Sequence, residues 1–229
     1  MPPAEQPHST KTPAFLRKAG VLFAWMVMAG LACGLVVLIL TGIGSGFNGW
    51  ERSKLGPLHR AACDGDVAAC ERLVKGGLSV DTTDDDGVTA LSWAVFYCKI
   101  DVVRKLIELR ADVNHVDQRA AYTPLMYTAT TLRGHNLRGT QAERNEIARL
   151  LIQHGADVNH AMSDGRASGD GQTTLHFAAT DKNIGLVRTL LAAGANRNAK
   201  ETTGWTPLDM AKFPDYAPND EVIKALEGP

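Results

Sequence analysis

Residues 173–198 read TTLHFAATDKNIGLVRTLLAAGANRN, and this stretch decides the fold. It opens on Thr173, whose hydroxyl suits the N-cap of a helix. The small pair Ala178-Ala179 follows on a first helix, where a neighbouring helix can come close. The aliphatic pair Leu190-Leu191 marks a second helix. Gly194 then supplies a left-handed stop, and Asn196 starts a turn. One such helix pair cannot bury its own apolar face, so it must stack on further copies.

The copies are present. Gly56-Pro57-Leu58-His59, Thr89-Ala90-Leu91-Ser92, Thr123-Pro124-Leu125-Met126 and Thr206-Pro207-Leu208-Asp209 align with Thr173-Thr174-Leu175-His176, at successive offsets of 33, 34, 50 and 33 residues. Small residues recur after the opening at Ala61-Ala62, Ala94-Val95 and Thr128-Ala129, and aliphatic pairs at Leu73-Val74, Leu106-Ile107 and Leu151-Ile152. Pro at the second position fits a first helical turn. A period near 33 with T-P-L-H, A-A and G-A-D-V-N in register resembles the ankyrin repeat. The resemblance covers roughly residues 55–228. It implies an all-α solenoid of about five helix-pair units with β-hairpin fingers. It also implies a scaffold that binds another protein through its finger tips and concave face, with His59 and His176 as structural hydrogen-bonding residues between repeats.

Departures from the pattern carry information. The first unit has no finger before it, as an N-terminal cap requires. Arg110 stands at a position where the family has Gly, so its turn must be reshaped or strained. The last unit places Lys212 at its second small position and residues 213–218 before a short final helix. The third unit is 17 residues longer than 33, with the excess falling within 130–144 and 163–170. Insertions in repeats map to loops, often on a binding face.

Candidate partner-binding residues follow from these placements. Tyr122 and Trp205 precede the capping Thr of their units, at finger bases, and are read as exposed aromatic anchors. Trp93, Tyr127 and Phe177 each lie four residues after the cap, on the first helix. Asp84, Asp85 and Asp86 form an acidic finger tip, because the spacing and closing Glu of a calcium loop are missing. Arg133 and Arg138, with His135 and Arg144, make the third-unit insertion basic; it is read either as a contact for an acidic partner or lipid headgroups, or as a solvated loop. His115 and His160 are read as exposed turn histidines rather than metal ligands. Cys70 reads as a buried small hydrophobe, and Cys63 and Cys98 stand at helix ends where a disulfide is conceivable.

Composition narrows the function further. Lys and Arg number 24 against 25 Asp and Glu, for a net charge of -1, and no stacking aromatics accompany the Arg residues, so nucleic acid is not an expected partner. No nucleophile elbow, phosphate loop or zincin motif appears. The chain is therefore expected not to be an enzyme, and no catalytic, cofactor or metal residue is assigned. The alternative reading is an extracytoplasmic accessory protein that handles a small molecule or metal.

Before the repeats, residues 19–45 contain no charged side chain. About 20 apolar residues suffice to cross a bilayer, so this run is expected to be a single transmembrane helix. It follows a tail, 1–18, and precedes a Gly-rich linker, 46–54; the repeat domain occupies 55–229. A cleaved signal peptide, or lipoprotein processing before Cys33, is the rival reading. Arg17 and Lys18 abut the run, so the N-terminus is expected in the cytoplasm and the repeats outside it, in the periplasm if the source is bacterial. Gly30 with Gly34 and Gly42 with Gly46 are small-xxx-small pairs through which two such helices could form a homodimer.

Overall fold

The computed structural model describes residues 55–118, 121–129, 139–163, 170–213 and 219–228. The tail, the apolar run 19–45, the linker, and the insertion residues Arg133 and Arg138 lie outside these. Among the described residues no helix is long and apolar enough to cross a membrane. Residues 55–229 form one compact unit.

Each repeat begins where a small polar residue can cap it. Helix α1 (Pro57–Asp64) starts on Gly56 with Pro57 in its first turn, and α2 (Val67–Lys75) starts on Asp66, whose carboxylate accepts from Ala69 N. Helix α3 (Ala90–Phe96) is capped by Thr89, and α4 (Ile100–Glu108) follows it. Helix α5 (Gln141–Gln153) starts from a reciprocal cap between Thr140 and Glu143. Helices α6 (Thr174–Thr180) and α7 (Ile184–Ala192) form the fourth pair. Helices α8 (Pro207–Lys212) and α9 (Asp220–Glu227) form the fifth. First helices pack on first helices, and second helices on second helices, giving two layers. Between the layers run Leu58, Leu91, Leu106, Leu125, Leu151 and Leu190, all fully buried.

The third repeat departs from the expected helix pair. Its first element is a short 3-10 turn, Met126–Thr128. Two contacts that steady other repeats are missing from it. Met126 occupies the position of His59 and His176 and brings no ring nitrogen, and the Thr123 hydroxyl is buried without a hydrogen-bond partner. The expected β-hairpin fingers are closed by single antiparallel bridges, Thr83 with Thr89 and Ala161 with Thr173.

Arg110 adopts φ 71°, in the slot held by Gly77 at 99°, Gly155 at 90° and Gly194 at 88°. The turn is kept and the side chain bears the strain. Because a left-handed residue with a Cβ costs about 1 kcal/mol relative to glycine, Arg110→Gly should stabilise the domain by roughly that amount in urea unfolding. No gain would mean that the guanidinium makes a compensating contact.

The paired histidines act between repeats. His59 Nε2 bonds the carbonyl of Val88 at 3.1 Å, and His176 Nε2 bonds that of Trp205 at 3.2 Å. His176 Nδ1 accepts from Thr173 N at 3.1 Å, so the working ring is neutral with its proton on Nε2. Burial disfavours the imidazolium and lowers both rings below the ordinary 6.5. The unfolded chain therefore takes up protons first as pH falls. The stability these rings contribute is complete above about pH 6.5 and is lost as pH drops through their folded values. Urea midpoints should fall over that acid window, and a His59→Gln/His176→Gln chain should show a flatter profile.

Candidate protein-binding surface

Asp84 is not a freely solvated tip. Its Oδ1 accepts from Asp86 N at 3.0 Å and Val88 N at 2.9 Å, which curls the finger. Its Oδ2 accepts from Trp93 Nε1 at 2.7 Å, which fixes the indole against the finger. Asp85 and Asp86 do stand exposed. Neighbouring fingers are laced together: Gln118 N donates to the Asp86 carbonyl at 3.1 Å, and Thr202 N to that of Asp170 at 2.8 Å.

His115 and His160 serve the same lacing, which corrects the expectation of exposed rings. Both are half-buried, with Nε2 bonded to the carbonyls of Gly87 at 3.0 Å and Ala121 at 3.1 Å. Each ring holds the finger before its own. Among the described residues no three His, Cys, Asp or Glu side chains gather closely enough to hold a metal ion.

The aromatic residues of three repeats touch in sequence. Trp93 stacks on Tyr97 at 6.0 Å and meets Phe96 edge-on at 5.9 Å. Phe96 meets Tyr127 at 6.3 Å, Tyr127 meets Tyr122 at 5.7 Å, and Tyr122 meets Phe177 at 5.7 Å, all edge-on. Trp93, Tyr127 and Phe177 hold the same repeat position, so stacking the repeats aligns them. Tyr127 donates its hydroxyl proton to buried Asp117 at 2.7 Å. Tyr122, expected to project, is half-buried in this row.

Trp205 stands exposed, as its position suggested, at 37% exposure and 5.1 Å from the Phe213 ring. Its backbone is held from both sides, by the His176 bond to its carbonyl and by Trp205 N donating to Glu201 Oε1 at 3.0 Å. Burial pushes the Glu201 carboxyl up, but hydrogen bonds from Thr203 and Trp205 outweigh it and hold the group below the usual carboxylate range. A large ring on a fixed backbone has little entropy left to lose on binding.

Arg144 does not belong to a basic loop. It lies in the first turn of α5, buried, with Nη2 donating to Asp181 Oδ2 at 3.0 Å and Nη1 to the Gly139 carbonyl at 3.3 Å. Cys70 is fully buried, as expected of a small hydrophobe in its position. Cys63 is buried within α1, Cys98 sits in a left-handed turn at φ 53°, and no disulfide joins them. Burial pushes the thiols of Cys70 and Cys98 up to about 11. Gly139 packs so tightly on Cys98 that a Cβ there would lie 2.7 Å from its sulfur.

Two layers of stacked helix pairs, laced fingers and a row of aromatic rings define a repeat solenoid. Models of ankyrin repeats match residues 24–117, 58–162 and 151–211, and the chain belongs to the ankyrin-repeat family. It is 29% identical to the B-cell lymphoma 3 protein homolog of Mus musculus over 63% of the chain, and 31% identical to a mitochondrial disaggregase of Bos taurus over 76%. A putative ankyrin repeat-containing protein of Treponema pallidum is 30% identical over 66% of the chain. The chain spans 29%, 23% and 45% of the lengths of these three relatives.

Proposed function

We propose that the chain is a membrane-anchored scaffold that captures another protein on its fingers and first-helix face, outside the cytoplasm and without catalysing a reaction. The observation that carries the capture is the aromatic row across three repeats, with backbone-fixed Trp205 at the C-terminal end of the same stack. Centrally placed aromatic anchors dominate interface energies. The anchor rests on the uncharged run 19–45, and the orientation on Arg17 and Lys18 beside it.

A photo-crosslinking residue at Val116, exposed at 39% on a finger, should trap the partner in native membranes. The same residue at Arg149, exposed on α5, should not. Trp205→Ala should weaken capture by about tenfold or more at unchanged melting temperature, since such anchors contribute ~2 kcal/mol. Adducts from Arg149 alone would move the binding surface to the other layer. Alkaline extraction should leave the chain in the membrane, and alkaline phosphatase fused after Pro229 should be active. A chain released by alkali, or a silent fusion, overturns the anchor or its orientation.

A further inference from the structure

Charge along the repeats is segregated. Among the described residues, the finger segments 79–88, 112–118, 121–122, 157–163, 170–172 and 196–205 carry nine Asp or Glu against two Lys or Arg. The described residues between and beside them, 57–78, 89–111, 123–129, 139–156, 173–195, 206–213 and 219–228, carry twelve against thirteen. The excess negative charge thus lies on the fingers, beside the aromatic row. The carboxylates also contact that row directly. Asp84 accepts from the indole of Trp93, and Asp117, itself buried, from the hydroxyl of Tyr127. Asp85 and Asp86 remain exposed beside the Trp93 end.

An aromatic ring has a negative face, and a carboxylate bonded at its N–H or O–H edge adds to the negative potential there. A cation resting on such a ring gains from both. A guanidinium fits best, because it is planar, stacks on the ring and can still donate to a carboxylate at the rim. An acidic peptide or an anionic lipid surface meets the same field as repulsion. Phe96 and Tyr127 are buried in the middle of the row, so an extended segment would meet the partly exposed rings on either side of them, Trp93 and Tyr97 at one end and Tyr122 and Phe177 at the other.

We infer that the aromatic row, with its carboxylate rim, is a docking surface for an extended, arginine-bearing segment of the partner protein. This rests on the scaffold reading and names the chemistry of what the scaffold captures. The rings supply the contact, and the exposed tip carboxylates Asp85 and Asp86 supply steering.

The test uses the full chain in nonionic detergent and three short unstructured peptides of one design, carrying Arg, Gln or Glu at alternate positions. Binding is read by anisotropy of a dye on the peptide at about 150 mM salt, where long-range steering is screened. The Arg peptide should bind at least about tenfold more tightly than the Gln peptide, and the Glu peptide more weakly still. Phe177→Ala and Trp93→Leu should each lose about tenfold, while Trp93→Phe, which keeps a ring, should stay within about threefold. Asp85→Asn with Asp86→Asn should act mainly at low salt. Circular dichroism melts identify any variant that has lost its fold; Trp93→Phe and Phe177→Leu then decide the matter. Equal binding of the Arg and Gln peptides overturns the inference. So does full binding by both ring-deleted chains, which would mean adhesion to the finger tips alone. If the Arg peptide fails while Val116 still cross-links a partner, the charge assignment falls and the scaffold stands; if both fail, both readings fall.

Discussion

Leu106→Ala, Leu151→Ala or Leu190→Ala should each destabilise the repeat domain by about 2–5 kcal/mol. All three side chains are fully buried, and each sits on the second helix of its repeat, between the two helix layers. Truncation removes several methylene and methyl contacts and leaves a void that the rigid helix pairs close only in part. Natural domains are stable by only ~5–15 kcal/mol, so one such loss takes a large share. In a stacked array the damage also reaches the neighbours, because each repeat is buried only by the repeats beside it. Asp85→Ala, at an exposed tip, should shift stability by less than about 0.5 kcal/mol. Urea midpoints at a constant slope measure both. Equal losses at tip and core would show that the repeat register is wrong.

The same residues show how far the sequence reading reaches. Leu106, Leu151 and Leu190 were legible because helix pairs impose their own spacing, and a residue's place in the period determines whether it is buried. Arg110 was legible for the same reason, since its slot demands a left-handed turn whoever occupies it. Trp205 was legible as exposed because it precedes a capping Thr at a finger base. What a period does not encode is which positions meet across repeats. His115 reaches Gly87 over 28 residues and His160 reaches Ala121 over 39. Neither contact follows from the residue's own turn; each depends on the finger beside it. Asp84 looked like one of three equivalent tip acids. Its side chain was claimed by two backbone N–H groups and an indole, because an Asx turn and a ring nine residues on compete better than water for a fixed carboxylate.

Arg144 lies furthest from where the sequence pattern places it. Counted with Arg133 and Arg138, it seemed part of a basic loop. In the fold it lies in α5, its side chain 7% exposed, paired with Asp181 at 21% exposure, and its Nε is buried without a partner. Burial raises the Asp181 carboxyl above its usual value, and Arg144 pulls it back only in part. A carboxyl with a raised folded pKa binds its proton more tightly in the folded state. Stability therefore falls as pH rises from about 3.8 through the raised folded value. The pair is thus a positioning device rather than a net source of stability, tying the insertion's exit at Gly139 to the fourth repeat. Removing one partner leaves the other charge buried alone. Arg144→Met or Asp181→Leu should each destabilise by about 3 kcal/mol, at the low end for buried pairs because Asp181 retains some solvent. The double variant should return to within about 1 kcal/mol of the parent, since neither charge then needs desolvating. It should also lose the parent's acid-side gain in stability. The mutant cycle would then give a coupling energy of more than about 2 kcal/mol. Additive single losses would instead mean that the two groups are held independently, and that the insertion is anchored through Gly139 and Cys98 without the charge pair.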